Sequence, residues 1–389
     1  MKIFFECSEY PPGPHGGIGT LIQLLARGLV ERGHGVRVAG MYPADYPAAD
    51  REVDEGVEVF RFRERPGRFS WVPARIRFFR LLSRWSRAGE IDLIEVPDYG
   101  APAAGWPSLP VPVVTRLSGS GGFFAAEMGR VLDRSFYLEL ASLRRSDFWF
   151  SESRYMAERT RKLYRLATPP SAIIYNPVAL PPPVRFENRS PSKVVYAGTL
   201  TEKKGVIPLI DSWPRVRAAF PQAELHVRGK DGRAPQGGSM REFLQRRAGN
   251  AAAGGVSFHD QVPLDALIEE FQSARVVVLP SYAEGFALTP LHAMAAGCPT
   301  IYTRRGSGPE LIQDGENGLL VDPAKPDEIA EAIMRLLGNE ELAARLGSAA
   351  RHHIQQNFSL EKILEENEHF YEECLRRFDA RPASRSAAG

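Results

Sequence analysis

Residues 275–303 read "RVVVLPSYAEGFALTPLHAMAAGCPTIYT". An apolar, β-branched run ends at a Pro-Ser pair, a Gly-containing turn follows, eight or so residues have helical character, and "PTIYT" opens another strand. Pro290 falls where the first helical turn tolerates it. Two strands joined through a helix must pair in parallel with a right-handed crossover. The unit repeats outward in both directions. Downstream comes "NGLLVDP" (317–323), and upstream come "KVVYAG" (193–198), "AELHVRG" (223–229) and "GVSFHD" (255–260), all separated by helix-length segments. The expected class is α/β, with a doubly wound sheet.

The same grammar occupies the first part of the chain. "KIFFECS" (2–8) reads as a strand, and the following "GTLIQLLARGLVERGH" places Leu21, Leu24, Leu25 and Leu29 on one helical face. "GVRVAGM", "VEVFRF", "IDLIEVP", "PVVTRL", "DFWFSE" and "AIIYN" continue the strands to about residue 178. Residues 179–191, inside the Pro-rich "PVALPPPVRFENRSPS", read as a linker. The expectation is a first Rossmann-like domain over 1–178 and a second over 192–357. A C-terminal helix over 358–380 is expected to return to the first domain, before a disordered tail, 381–389. Open sheets bind ligands beyond the carboxyl ends of their strands, so two such domains facing across a cleft would share a ligand.

Composition narrows the function. Hydrophobic residues make up 43% of the 389, charged residues 25%, and the net charge is +2. That balance supplies no global field for nucleic acid. The three cysteines, Cys7, Cys298 and Cys374, have neither metal-ligand nor redox spacing and fit a reducing cytoplasm. No apolar run is long enough to span a bilayer, and Glu6 interrupts the only N-terminal run that could resemble a signal peptide.

Three segments could carry chemistry. In "YPPGPHGGIGTLIQLL" (10–25), Gly16 and Gly17 precede a helix and would let backbone N–H groups approach an anion, although an empty tight turn uses glycine equally well. In "YAGTLTEKKG" (196–205), Lys204 follows a strand's carboxyl end, where it could neutralise phosphate or simply be solvated. In "EGFALTPLH" (284–292), the amides of Gly285, Phe286, Ala287 and Leu288 lie at a helix mouth suited to a diphosphate. Glu284 beside them is the candidate catalytic residue, a carboxylate for sugar hydroxyls or for a cationic transition state, or else a solvated loop acid. His292 falls on one helical stripe with Leu288 and Ala295, and reads from that spacing as a packed core residue.

Together these segments resemble the retaining, nucleotide-sugar-dependent glycosyltransferases of GT-B architecture, family 4 (group 1). "YAGTLTEKKG" resembles that family's G-R-L-x-x-x-K-G, and "EGFALTPLHAMAAGCPTIYT" its E-G-F-G-x-x-x-x-E-A-M-A-x-G-x-P-V. "GPELIQDGENGLLVDPAKPDEIAEAI" and "PPGPHGGIGTLIQLLARGLVERGHGVRV" resemble the family's usual continuation and its N-terminal Gly-rich loop and helix. The resemblance implies a metal-independent hexosyl or related transfer from a nucleoside-diphosphate sugar, a UDP-sugar first, to an acceptor hydroxyl in cell-surface glycan or glycolipid synthesis, with no bound cofactor. It implies Gly16 and Gly17 near the diphosphate and sugar, Lys204 on the diphosphate, Glu284 on the sugar, the following amides on the diphosphate, and Gln261 or Val262 beside the base.

Three positions depart from the pattern. Thr199 stands where the family has a diphosphate-binding Arg, His292 where it has a ribose-binding Glu, and Ser118, in "VVTRLSGS", where it has a sugar-contacting His. The resemblance makes His292 a weaker ribose contact, because a neutral imidazole accepts one hydrogen bond where a carboxylate accepts two. Arg116 and Arg228, at predicted strand ends, are candidates for the missing cation. The departures keep two alternatives open: a nucleotide-sugar-binding protein with weakened turnover, and another GT-B enzyme such as a sugar-nucleotide epimerase.

Residues 61–87, "RFRERPGRFSWVPARIRFFRLLSRWSR", put Arg77, Arg80, Arg84 and Arg87 on one helical face and Phe78, Leu81, Leu82 and Trp85 on another. This is the pattern of an interfacial helix on the inner face of the plasma membrane, which would imply a lipid-linked acceptor, or of a helix packed on its own sheet.

Overall fold

The computed structural model describes residues 1–64, 71–250 and 254–381. The chain divides into two compact units, Met1–Asn176 with Leu360–Gly389, and Pro177–Ser359. Each is an α/β unit built on a largely or wholly parallel sheet.

The first unit contains strands β1 (Lys2–Glu6), β2 (Gly35–Tyr42), β3 (Arg51–Asp54), β4 (Val57–Arg63), β5 (Leu93–Pro97), β6 (Val113–Leu117) and β7 (Phe148–Ser151). They order as β3-β4-β2-β1-β5-β6-β7, with all neighbours parallel except the edge strand β3. Helices α1 (Gly17–Glu31), α2 (Trp71–Arg87), α3 (Gly121–Glu127), α4 (Ser135–Arg145) and α5 (Arg154–Tyr164) connect or follow these strands. "AIIYN" forms only an isolated bridge, Ser151 with Ile173, instead of the expected strand. Along the short edge strand β7 it is held by backbone hydrogen bonds from Ser151 N–H to the Ala172 carbonyl at 3.3 Å and from Ile174 N–H to the Ser151 carbonyl at 3.0 Å, without extending into a ladder.

Helix α2 is amphipathic as its sequence predicts. Phe78, Leu82 and Trp85 are buried in a core with Phe4, Ile94, Val96 and Trp106. The apolar face therefore packs on the sheet, and the expected insertion of that face into lipid does not hold. Residues 65–70 of the same stretch lie outside the described residues.

The second unit contains β8 (Lys193–Ala197), β9 (Glu224–Arg228), β10 (Val256–His259), β11 (Val276–Leu279), β12 (Thr300–Thr303) and β13 (Leu319–Val321), all parallel, in the order β10-β9-β8-β11-β12-β13. Helices α6 (Val206–Ala219), α7 (Met240–Asn250), α8 (Leu264–Ser273), α9 (Leu288–Ala295), α10 (Gly308–Leu311), α11 (Pro326–Gly338) and α12 (Glu340–Asn357) lie between or after them. Strand β11, "VVVL", is buried at every position, as a central parallel strand covered on both faces must be. The crossover after β8 runs toward one edge of the sheet and that after β11 toward the other, so the order reverses between these two adjacent strands. A reversal of this kind leaves a crevice beyond their carboxyl ends.

The Pro-rich residues 179–191 are part of the second unit. Buried Arg189 ties them down by donating to the carbonyls of Phe271 (2.7 Å) and Ala296 (2.6 Å). The last helix, α13 (Leu360–Asp379), belongs to the first unit, where Leu364 packs on Gly28 of α1 and Glu368 pairs with Arg32 at 2.8 Å. Of the expected tail, Arg381 is described and pairs with Asp147 at 2.5 Å, while residues 382–389 lie outside the described residues.

Candidate active site

The loops after β8 and β11 meet at the reversal point. Tyr282 N–H donates to the Lys203 carbonyl at 2.7 Å. A Cβ on Gly205 would lie 1.8 Å from the Pro280 carbonyl oxygen, and Gly205 has φ +68°, so only glycine lets the two loops close on each other. The consequence is a salt bridge between residues eighty positions apart: Lys204 Nζ lies 2.7 Å from Glu284 Oε1. Lys204 keeps 26% of its side-chain exposure and Glu284 only 7%. Burial by itself would raise the Glu284 pKa. The charge of Lys204, then that of Lys203, outweighs it and holds the carboxyl below the ordinary range, with a further hydrogen bond from Ser281. Glu284 is an anion, and Lys204 is the group it would have to release for any incoming ligand.

Four residues beyond Glu284, α9 begins with no side-chain cap and no acid in its first turn. Its first turn carries the positive end of the helix dipole. His292, on the same helix, is 6% exposed. Burial lowers its pKa to about 4, so the imidazole is neutral at physiological pH. Its Nδ1 has no hydrogen-bond partner among the described residues. Both readings of the sequence therefore apply in part: the ring is packed, yet a polar atom of it is unspent.

Two residues near this carboxylate were not foreseen. Tyr196, near the end of β8, and Tyr302, on β12, are fully buried, and both phenols are shifted upward first by burial and then by the charge of Glu284. Neither hydroxyl has a partner among the described residues. The only trace in the sequence is a tyrosine one residue before the carboxyl end of a short strand, a pattern that core packing also produces.

The remaining expected residues of this unit are more scattered. Thr199 is exposed and supplies no charge, and Val262 and Gln261 lie in the loop after β10. Arg228, at the end of β9, is held by Glu270 of α8 and donates to the Asp260 carbonyl at 3.2 Å. As a diphosphate cation it would first have to leave that acid.

In the first unit, Gly16 caps α1 and both Gly16 and Gly17 are exposed. An anion there is already present: Glu9 accepts from Gly19 N–H at 2.8 Å. Arg116 does not serve as a free cation. It is 2% exposed, bonds Glu95 at 2.7 Å and Asn367 at 2.8 Å, and stacks on Phe150. A guanidinium this buried is held by its partners, and two of those lie far away in sequence. Ser118 links two acids: its N–H donates to Asp98 at 2.9 Å and its hydroxyl to Glu152 at 2.6 Å. Burial pushes both carboxyls up to about 7. Among the described residues no cluster of three His, Cys, Asp or Glu side chains is arranged to hold a metal ion.

Residues 15–180 match the model of Glycosyltransferase Family 4, and residues 183–353 match that of Glycosyl transferases group 1. A glycogen synthase of Mycobacterium tuberculosis is 26% identical over 93% of this chain and 92% of its own. Sucrose-phosphate synthase from Thermosynechococcus elongatus superposes with a TM-score of 0.79 at 21% identity, covering 97% of this chain and 99% of that one. Anabaena HepE, solved in complex with UDP-glucose, superposes with a TM-score of 0.75 at 18% identity over 96% and 100%. These likenesses give both units the GT-B fold.

Proposed function

Since the chain belongs to the family 4, group 1 glycosyltransferases, we propose that it transfers a hexosyl or related sugar from a UDP-sugar to an acceptor hydroxyl with retained anomeric configuration. The observation that carries this reading is the Lys204–Glu284 pair at the reversal point of the second sheet, beside the uncapped start of α9. A diphosphate seated at that helix start meets the positive end of the helix, and Lys204 turns from Glu284 to the diphosphate oxygens. Glu284, released from Lys204 with the charge of Lys203 still acting on it, accepts hydrogen bonds from the sugar hydroxyls and stabilises positive charge at the anomeric carbon.

The chemistry is a front-face displacement. The bond between the anomeric carbon and the β-phosphate oxygen breaks first, with the electron pair leaving on the diphosphate. The acceptor oxygen then bonds the same face of that carbon, and its proton passes to the departing diphosphate oxygen. Lys204 and the α9 amides contribute most after the bond has begun to break, because the leaving group gains charge there. His292 supplies a single neutral contact to the ribose. The UDP choice is supported by the relative solved with UDP-glucose. No helix among the described residues is long and apolar enough to cross a membrane.

The test is a thermal-shift panel of UDP, GDP, ADP and their sugars, followed by NMR of the product anomer. A shift with UDP and an axial-to-axial or equatorial-to-equatorial product supports the reading. An inverted product overturns the retention. Nucleotide binding with neither transfer nor donor hydrolysis would favour a binding protein that kept the fold, for which Ser118, Thr199 and His292 are the motivating residues.

A further inference from the structure

Glu284 follows the end of β11, and the two neighbours of that strand in the sheet, β8 and β12, each hold a tyrosine one residue short of their own ends. Tyr302 is the register partner of Leu279, the last residue of β11, and Val195 is that of Val277, which puts Tyr196 level with Val278. Successive residues of a strand alternate in face, so the two phenols flank the root of the Glu284 loop from opposite faces of the sheet. Tyr196 leans toward the carboxyl edge: its hydroxyl lies 3.5 Å from where a Cβ on Gly198, just past the end of β8, would stand.

Both residues are 1% exposed, and neither hydroxyl has a hydrogen-bond partner among the described residues. A phenylalanine fills nearly the same volume without burying an unpaired hydroxyl, so packing alone gives no reason for either oxygen. Glu284 supplies one. In the free protein Lys204 takes its Oε1 at 2.7 Å and Ser281 gives a further bond, so the carboxylate is served without the phenols. Once Lys204 turns to a diphosphate, the first of the charges that favour the ionised form of this buried acid has gone. A buried carboxylate stripped of its partner takes up a proton or finds new donors. The two unpaired hydroxyls are donors, and both already respond to its charge.

We propose that Tyr196 and Tyr302 are positioning residues for the transfer: as Lys204 leaves, their hydroxyls donate to Glu284 and hold it, still ionised, against the donor sugar. The inference rests on the donor reading above and adds a second state to it. Glu284 is bonded by Lys204 and Ser281 in the empty protein, and by the phenols and the sugar hydroxyls in the loaded one. The unpaired phenols of the empty protein are then explained by the state in which they are used.

The experiment compares the parent chain with Tyr196→Phe, Tyr302→Phe and the double variant. Stability to urea should be unchanged or slightly raised, because an unpaired buried hydroxyl is removed. UDP affinity by calorimetry and the KM for UDP-glucose should stay within about twofold. The rate of UDP release at saturating UDP-glucose should fall about tenfold for each hydroxyl lost, the effect of one hydrogen bond to a charged group. The acid limb of its pH profile should move upward, since fewer donors favour the ionised form of Glu284. With ring-labelled tyrosine in the parent, the NMR signals of Tyr196 and Tyr302, identified by their loss in the variants, should shift when UDP is added. Parent-like turnover with an unmoved acid limb in the double variant would overturn the proposal, and so would tyrosine signals indifferent to UDP. A fall in stability with turnover intact would overturn it as well, since that is the behaviour of core packing. A parent that binds no UDP would overturn the donor reading and this inference with it, an outcome told apart by the parent's own titration.

Discussion

Removing Lys204 should separate what the lysine does before donor binding from what it does during bond breaking. In the free protein it neutralises Glu284, 2.7 Å away and 7% exposed. Breaking a fully buried pair costs about 3–5 kcal/mol, and an exposed pair contributes about 0.2–1 kcal/mol. With a quarter of the lysine in solvent and Lys203 still acting on the same carboxylate, Lys204→Ala should cost about 1–2 kcal/mol of stability in the second unit. On binding, the lysine exchanges this pair for a charge-assisted bond to the diphosphate, worth about 1.5–3 kcal/mol. The ground-state difference is then only about 1 kcal/mol, roughly fivefold in UDP affinity. In the transition state the leaving diphosphate is more negative and the lysine contributes more, so turnover should fall by about tenfold to a hundredfold. Titration calorimetry with UDP gives the first number, and UDP release from UDP-glucose gives the second. Lys204→Arg should recover part of both. If Lys204→Ala leaves UDP affinity and UDP release within twofold of the parent, the diphosphate is not held at this loop pair.

Other consequences follow from individual side chains. Arg116→Met should destabilise the first unit by about 3–5 kcal/mol, because it strands Glu95 in the core; UDP affinity at permissive temperature should not change, and a selective loss of donor binding would return Arg116 to the site. Asp98 binds its proton more tightly in the folded than in the unfolded state, so its contribution to stability falls as pH rises from about 4 to about 7. Asp98→Asn keeps an acceptor for the Ser118 N–H and should reduce the pH dependence of urea unfolding in that window, where Glu152 still titrates, with a gain of about 2 kcal/mol above pH 7; an unchanged profile would refute it. His292 is already neutral with a pKa of about 4, so its titration contributes nothing to UDP affinity between pH 5.5 and 8. His292→Ala should weaken UDP binding several-fold at every pH in that range, about 1 kcal/mol for one neutral hydrogen bond, and an effect confined to the acid end would contradict a neutral ring.

What could be read from the chain divides along physical lines. The loop 284–288 and the lysine at 204 carry local signals, a turn glycine, a strand end and a helix start, and both reappear at the loops where the strand order reverses. Their mutual contact was not legible, because it depends on β8 and β11 lying side by side, and pairing order is not written in either strand. Arg116 looked like an available cation for the same reason: Glu95 and Asn367, which hold it, are 21 and 251 positions away. At 179–191 the prolines read as an interdomain linker, and what composition does not show is that one buried arginine, Arg189, bonds the segment to three carbonyls of the second unit. In α2 the division of the helix into a basic and an apolar face was legible. Which surface covers the apolar face was not, since sheet and lipid place the same demand on the sequence. Tyr196 and Tyr302 escaped notice because a buried tyrosine beside a carboxylate and one filling a core have the same spelling.

The most direct measurement is calorimetric titration of UDP and of UDP-glucose into the parent chain and into Glu284→Gln. If Glu284 holds the sugar and restrains Lys204, the substitution should leave UDP affinity unchanged or a few-fold tighter, since the lysine is freed, and should abolish the extra affinity that the glucosyl group provides. Equal weakening of both ligands, or a sugar contribution that survives intact, would contradict the account.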